Sequence, residues 1–175
     1  WQQTRLPLTS TASTELRPPL AIADLDGDGL LDLMLSTSSG CLICDPRSGE
    51  IKQQLGDLGA WRLANLSVSQ GPAVLALAGK TPHLAEPGPG RFEFLLLSFT
   101  GKEERADQMR SNRSGIGVRA AARVGASWTS LRTLRTDSGP GQNLQPVPVG
   151  LVGQDGVDFV SLNWPDGIFQ TEFDL

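Results

Sequence analysis

The residues with the clearest capacity for chemistry lie between positions 24 and 32, where the sequence reads DLDGDGLLD. Four carboxylates fall within this stretch, at Asp24, Asp26, Asp28 and Asp32, and two glycines separate them. Carboxylates this close together repel one another unless a cation lies among them. A hard cation that takes about six to eight oxygen ligands, such as Ca²⁺, suits this set of donors.

The spacing also predicts which atoms would bind the metal. A calcium loop takes ligands from positions 1, 3 and 5, has a glycine at position 6 and uses a backbone carbonyl at position 7. Counted from Asp24, position 6 is Gly29 and position 9 is Asp32. The predicted Ca²⁺ ligands are therefore Asp24, Asp26, Asp28, the carbonyl of Leu30, and Asp32. An acidic turn without a metal is the alternative interpretation.

The flanks of this loop predict strands rather than the helices of a helix–loop–helix calcium site. Position 12 of such a site requires a bidentate Glu, and this chain has Leu35 there. Leu20 and Ile22 alternate with small residues before the loop, and Leu31 and Leu33 alternate with other residues after it, which is the period of a strand. The sequence thus predicts a hairpin whose loop binds calcium.

The segment PLAIADLDGDGLLDLML resembles one FG-GAP (VCBS-type) repeat of the calcium-binding β-propellers. The resemblance implies that the loop joins two strands of a blade and that its carboxylates hold calcium. Further strands predicted at Gly40–Cys44 and Ile51–Leu55 would complete about one four-stranded blade, and residues 61–79 carry strands of a second without an acidic loop. A propeller needs about 4–8 blades, so two would leave apolar faces bare. Further blades of the same polypeptide, or another protein chain, are expected to cover those faces.

A Pro/Gly-rich segment at residues 81–90 is the predicted connector between two domains, residues 1–90 and residues 91–175. His83 lies in this segment and is the only histidine of the chain; it is predicted to be a loop residue rather than a catalytic one. Beyond the connector, Val118–Val124 alternates between apolar and basic residues and predicts a half-buried strand.

A hairpin is predicted at the carboxyl end of the sequence. The strand at 158–164 puts Val160, Leu162 and Trp164 on one face, and Pro165-Asp166-Gly167 supplies turn chemistry. The returning strand is expected to bring Phe169 and Phe173 to the same interior.

Four segments of the second half resemble the ASPIC/UnbV domain: NRSGIGVRAAARV (112–124), DSGPGQN (137–143), GLVG (150–153) and LNWPDGIFQ (162–170). That domain typically follows FG-GAP repeats in secreted proteins, including the cartilage acidic protein group. The resemblance implies a small antiparallel β-sandwich-like domain and an extracytoplasmic location, with no defined reaction. The expected fold is therefore all-β, with partial propeller blades and a calcium-binding hairpin loop ahead of this domain.

The composition excludes some partners. The net charge of −4 argues against a nucleic-acid partner, which would usually leave a basic footprint. No apolar run approaches the roughly 18 residues of a membrane span. The chain begins at Trp1 without a Met, which we interpret as a processed or partial product.

Cys41 and Cys44 form a CLIC motif that has too few partners for a four-ligand zinc site. We interpret them as small apolar residues of a strand, with a disulfide between them as the lesser alternative. Asn65 and Asn112 begin sequons that would be glycosylated only in a eukaryotic secretory context.

The leading hypothesis is a non-enzymatic, extracytoplasmic calcium-binding scaffold or protein-interaction module, in which calcium is structural. An accessory subunit of a larger assembly is the first alternative. This alternative is based on an uneven charge distribution. Residues 102–135 contain eight Lys/Arg and three Asp/Glu, a balance of +5, whereas residues 136–175 contain six acids and no Lys/Arg. A carbohydrate-active enzyme that uses paired carboxylates, such as Asp155 and Asp158, is the second alternative.

Overall fold

In the computed structural model, residues 16–38, 40–56, 58, 60–101, 113–132, 146–173 and 175 are described. Within these ranges the regular elements are thirteen β-strands in antiparallel sheets, and no helix occurs. The all-β prediction is confirmed. No helix long and apolar enough to cross a membrane is found among these residues either.

The first sheet is a four-stranded meander in the order β1-β2-β3-β4, and the second is a three-stranded sheet in the order β5-β6-β7. Their strands are β1 (Leu16–Ala23), β2 (Asp32–Thr37), β3 (Gly40–Cys44), β4 (Ile51–Leu55), β5 (Ala60–Ala64), β6 (Ala73–Ala78) and β7 (Thr81–Ala85).

The predicted hairpin and the two strands after it are confirmed. β1 and β2 flank the acidic loop, and β3 and β4 have the predicted bounds. Asp45 begins the turn between β3 and β4, where its carboxylate accepts a hydrogen bond of 2.7 Å from the Arg47 amide. That hydrogen bond stabilises the ionised form and lowers the pKa of Asp45.

The first and second sheets share a core that lies on one face of β2 and β3. Trp61 closes this core, and its indole Nε1 donates a hydrogen bond of 2.6 Å to the Ser36 hydroxyl. The buried members of the core are Leu25, Met34, Cys41, Ile43, Trp61, Val74 and Ala76. The opposite face of the first sheet carries a second apolar cluster, formed by Leu33, Leu35, Leu42 and Cys44.

The predicted connector is wrong over its first half, because residues 81–85 form strand β7. Pro82 lacks a backbone N–H, but β7 lies at the edge of its sheet, where a missing donor is tolerated. His83 is therefore a strand residue opposite Ala76, not a loop residue, and it is exposed.

The remaining strands form a four-stranded sheet in the order β10-β9-β12-β13 and a pair, β11-β8. They are β8 (Phe94–Leu97), β9 (Arg119–Val124), β10 (Ser127–Arg132), β11 (Val147–Gly150), β12 (Phe159–Asn163) and β13 (Phe169–Phe173). The predicted strands at Val118–Val124 and 158–164 correspond to β9 and β12. The DSGPGQN segment (137–143) lies outside the described residues.

One core packs against both of these sheets. The predicted inward residues of β9 and β12 belong to it, and Trp164 is 6% exposed. Its buried members are Phe99, Val118, Ala120, Ala122, Val124, Val149, Leu151, Val157, Val160, Leu162 and Trp164. Gly117 of the GIG motif lies against the turn after Trp164, since a Cβ there would come within 2.9 Å of Pro165 Cγ.

The predicted burial of Phe169 and Phe173 is wrong: they are 69% and 64% exposed. The turn sets the register, with the Trp164 N–H donating to the Ile168 carbonyl at 2.8 Å and Gly167 at φ +89°. Leu162 then pairs with Gln170. Even-numbered residues of β13 therefore lie on the core side, and the odd-numbered phenylalanines point outward.

The described residues divide into two compact units. The first comprises the described residues of Trp1–Leu25, Leu30–Leu63 and Ala73–Glu86. The second comprises Asp26–Gly29, Ala64–Pro72 and the described residues of Pro87–Leu175. The tip of the acidic loop is thus grouped with the later part of the chain. The predicted division into residues 1–90 and 91–175 stays a prediction.

We expect Trp164→Ala to reduce the free energy of unfolding of the second unit by about 3–5 kcal/mol, because it removes a buried indole. Ile168→Ala is the matched control on the same hairpin, and its cost should stay below about 1 kcal/mol because this side chain is 52% exposed. Urea unfolding of both variants measures the difference. Equal losses for the two variants would contradict the assignment of Trp164 to the core.

Candidate metal centre

Three of the four loop carboxylates converge. Asp24, Asp26 and Asp28 are half-buried, and each contributes an oxygen that lies within 4.8 Å of the oxygens of the other two. Three oxygens at this spacing can contact one cation together. The Asp24, Asp26 and Asp28 group could therefore hold a metal ion.

Three consecutive residues, Leu25, Asp26 and Gly27, anchor the loop. The Leu25 side chain, between two of the aspartates, is 3% exposed and belongs to the core that contains Trp61. The Asp26 carbonyl accepts a hydrogen bond of 2.8 Å from the Phe92 amide, and the Gly27 carbonyl accepts one of 3.0 Å from the Val152 amide. These contacts hold the backbone of the loop tip in place.

Two glycines allow this close approach. Gly27 and Gly29 have φ values of +79° and +77°, in the left-handed region that favours glycine. A Cβ on Gly27 would lie 2.9 Å from the Phe92 carbonyl oxygen, and a Cβ on Gly29 would lie 3.0 Å from Val152 Cγ2. Any other residue at position 27 would push the loop away from the amides that hold it.

Val152 is the strained element of this arrangement. Its φ is +54°, which is unusual for a β-branched residue. It sits in the GLVG segment, where the Leu151 amide donates to the Glu93 carbonyl at 2.9 Å and the Gln154 amide to the Leu151 carbonyl at 2.8 Å. These hydrogen bonds hold Val152 in a conformation that directs its own amide at Gly27.

The fourth carboxylate, Asp32, occupies a different environment. It is 1% exposed, and its Oδ2 accepts a hydrogen bond of 3.0 Å from the Leu25 amide. The Lys52 Nζ lies 2.7 Å from Oδ1. This close ion pair balances the charge of the buried carboxylate. Asp32 closes the base of the loop, and its role as a metal ligand, like that of the exposed Leu30, stays a prediction.

The donor chemistry of the loop fits a hard cation. The converging atoms are all carboxylate oxygens, which are the kind of ligand that Ca²⁺ prefers. The Asp28 amide donates to Asp26 Oδ1 at 3.3 Å, and this hydrogen bond orients the carboxylate.

The two cysteines lie on opposite faces of β3. Cys41 belongs to the core that contains Trp61, and Cys44 belongs to the cluster on the other face. Both thiols are buried and free, as expected for small apolar residues of a strand. Side chains three apart in a strand point away from each other, which opposes a disulfide between them.

Of the two candidate catalytic acids, one forms a hydrogen bond with the backbone and the other lies exposed on the surface. Asp158 Oδ2 accepts a hydrogen bond of 2.8 Å from the Gly125 amide and so stabilises the turn between β9 and β10. Asp155 is exposed in the turn before β12. An open pocket is lined by Ser69, Gln70 and residues 87–93, and Glu93 is its one carboxylate.

The asparagine side chain of the first sequon forms a hydrogen bond within the fold. Asn65 Nδ2, the atom that would carry a glycan, donates a hydrogen bond of 2.8 Å to the Pro146 carbonyl. Asn112 lies outside the described residues.

Sequence reasoning missed Phe92, Val152 and Lys52, which support the loop. The two amides act through the backbone, so their side-chain types carry no signal of the contact. Lys52 is one of several lysines on predicted strands and turns. A comparison of the chain with known protein families, with curated proteins and with solved structures finds no match.

We expect Lys52→Met to reduce the free energy of unfolding by about 1–3 kcal/mol, because it leaves the Asp32 carboxylate buried without a cationic partner. The exposed Lys80→Met is the matched control and should change stability by less than about 0.5 kcal/mol. Adding Asp32→Asn to Lys52→Met should recover part of the loss, since an amide keeps the acceptor for Leu25 and removes the charge. Urea unfolding in chelator measures all four proteins. A Lys52→Met curve that coincides with that of Lys80→Met would show that the pair is dispensable.

The buried thiols predict sensitivity to alkaline pH. Burial first, and the neighbouring Cys44 second, raise the pKa of Cys41 from 9.0 to about 11. The unfolded chain releases this proton above pH 9 while the folded chain keeps it to about pH 11, so stability is unaffected below pH 9 and falls between these values. We expect a loss on the order of 2 kcal/mol from pH 9 to 11, measured by urea unfolding. Cys41→Ala should show a shallower pH dependence, and identical slopes would contradict the assignment.

Proposed function

We propose that this chain is a non-enzymatic, extracytoplasmic scaffold whose hairpin between β1 and β2 binds a structural Ca²⁺. The observation that carries the proposal is the convergence of Asp24, Asp26 and Asp28 within 4.8 Å. Calcium would supply the positive charge that offsets their repulsion, and the three carboxylates would hold it. The carbonyl of Leu30 and the Asp32 carboxylate are the further ligands proposed.

The support behind the loop favours a structural role for the metal. Leu25 is buried in the core, and the Phe92 and Val152 amides bind the loop backbone directly. A cation bound by the three carboxylates would restrain the same backbone through its side chains. The loop would then be fixed by the metal as well as by its hydrogen bonds, and residues 92 and 152 would be ordered with it.

The outer faces of the first two sheets support a scaffold that packs against further β-structure. On the first sheet, Leu20 and Ile22 of β1 are 61% and 57% exposed, although they pair with the buried Leu35 and Leu33. On the second sheet, the outward residues Leu75, Leu77 and Leu84 are each more than 40% exposed. Stacked repeats that end in solvent usually carry polar outer faces. We propose that further blades of the same polypeptide, or another chain, cover these leucines.

The family assignment belongs to the same proposal. The four-stranded meander with an acidic loop between its first two strands supports the proposal that this segment is an FG-GAP (VCBS-type) blade. The GIG and WPDG motifs of the proposed ASPIC/UnbV domain lie in contact through Gly117 and Pro165. An extracytoplasmic location suits a calcium site of this kind, because extracellular modules bind at about 10⁻⁴–10⁻³ M. Fractionation that places the intact chain in the cytosol would count against this location.

Calcium is expected to stabilise the protein by about 1–3 kcal/mol at a concentration of 10–100 times the dissociation constant. Asp26→Asn should abolish most of this gain, because it keeps the acceptor for the Asp28 amide but removes a charge from the site. Asp155→Asn is the matched control and should keep the full calcium response. Thermal unfolding in calcium and in chelator measures each effect.

Hydrogen exchange separates a structural site from adventitious binding. In the wild type, calcium should slow exchange of the Phe92 and Val152 amides, which bind the loop carbonyls. Asp26→Asn should remove this change. Superimposable unfolding and exchange curves in calcium and in chelator would refute the proposal.

A further inference from the structure

Strand β13 presents two large aromatic side chains to solvent at the edge of its sheet. Phe169 and Phe173 are 69% and 64% exposed, and β13 is the last strand in the order β10-β9-β12-β13. Among the described strands none pairs with the outer edge of β13. Exposed aromatic surface beside the backbone of an edge strand is typical of a surface that pairs with another strand.

The other rings on this outward face already pack on one another. Trp128 meets Phe159 edge to face at 5.2 Å, and the Arg123 guanidinium lies 5.8 Å from the Trp128 ring centre. Phe159 lies 5.9 Å from Phe173, with the two rings tilted by 48°. Rings at these angles do not form a flat platform for a planar or cyclic ligand. The exposed apolar surface runs from Trp128 on β10, which is 57% exposed, to the phenylalanines of β13.

Strand β13 lacks the features that protect three other sheet edges in this chain. β1 carries Pro18, Pro19 and a register shift, β4 carries Lys52 and β7 carries Pro82. Prolines, lysines and bulges discourage pairing between edges. The sequence of β13, FQTEF, contains none of them.

The hydrogen-bond pattern identifies which backbone groups face outward. The Trp164 amide donates to the Ile168 carbonyl, and the ladder continues in steady register to Phe159 opposite Phe173. Hydrogen-bonded pairs alternate in an antiparallel ladder, so Gln170 and Glu172 bond to β12. The N–H and C=O groups of Phe169, Thr171 and Phe173 then point away from β12, along the free edge.

We propose that this edge binds a second copy of the same chain, by antiparallel pairing of β13 with β13 about a two-fold axis at Thr171. In this register the outward-pointing backbone groups of the two copies bond to each other. Phe169 of each copy lies opposite Phe173 of the other copy, and the two Thr171 residues lie opposite each other. Aromatic pairs and Thr–Thr pairs are both favourable across strands.

The charges of the strand favour a second copy over an unrelated strand. Gln170 lies opposite Glu172 of the second copy, so no two like charges are directly opposed. Glu172 Oε1 accepts a hydrogen bond of 2.5 Å from Gln170 Nε2 of its own chain. The carboxylate keeps lone pairs that can accept from the Gln170 side chain of the second copy. Since FQTEF is nearly symmetric about its threonine, the two-fold register matches every side chain with a compatible one.

Sedimentation of the full chain in calcium over a range of concentrations tests the proposal. The wild type should form a concentration-dependent dimer, and Phe169→Lys or Phe173→Glu alone should weaken it by about tenfold or more. Val68→Lys, at an apolar position that is 77% exposed and lies outside β13, is the matched control and should leave the dimer unchanged. A wild type that stays monomeric, or a dimer that Val68→Lys weakens as much as Phe169→Lys does, would overturn the proposal.

The double variant Phe169→Lys with Phe173→Glu tests the register itself. Each new lysine would lie opposite the new glutamate of the other copy, so the double variant should dimerise better than either single variant. A double variant weaker than both would exclude this pairing. Because neither position is in the core, thermal unfolding should show that all three variants remain folded.

Oxidative cross-linking of Thr171→Cys gives an independent measurement. Hydrogen-bonded antiparallel partners have Cα atoms about 5.5 Å apart, within the range that a disulfide spans. The introduced thiols should give a covalent dimer, whereas the control Thr100→Cys, at an exposed position after β8, should not. Monomer in both variants, or an engaged β13 edge that only a foreign extended peptide occupies, would reject the second copy as partner.

Discussion

The structure depends on how it confines three negative charges at the tip of one hairpin. Asp24, Asp26 and Asp28 alternate with residues that face the other way, so the carboxylates converge while Leu25 is buried and the Gly27 carbonyl binds the Val152 amide. Without that support the repulsion would open the loop. Phe92 and Val152 hold the backbone in place, and the positive φ of Val152 is retained because several hydrogen bonds determine it together.

Much of this fold could be predicted from side-chain periodicity. The alternation around the acidic loop, in β9 and in β12 predicts the strands, and in β9 and β12 it also predicts the buried face. The convergence of three aspartates follows from their spacing. Neither pattern indicates the Phe92 and Val152 amides, since a backbone hydrogen bond is independent of side-chain type. The buried ion pair of Asp32 with Lys52 is also absent from any local pattern.

The two errors have separate physical causes. Residues 81–85 contain a proline and a histidine, which suggest a loop, yet an edge strand tolerates both because one side of its backbone needs no partner. Phe169 and Phe173 suggest a core by their size. The turn at Trp164–Ile168 determines which face of β13 is buried. It pairs Leu162 with Gln170 and so places a polar residue on the core side of the edge strand.

The polar core-side residues of β13 also explain how this arrangement is stable. Trp164 is buried, and its indole N–H needs an acceptor, which Gln170 Oε1 supplies at 3.2 Å. Gln170 Nε2 in turn donates to Glu172. A register that buried the phenylalanines would place these polar side chains on the outer face and leave the indole without this acceptor. The hydrogen bond of one tryptophan thus favours the register that leaves two aromatic rings at the surface, and the apolar area they expose is available for contact with another chain.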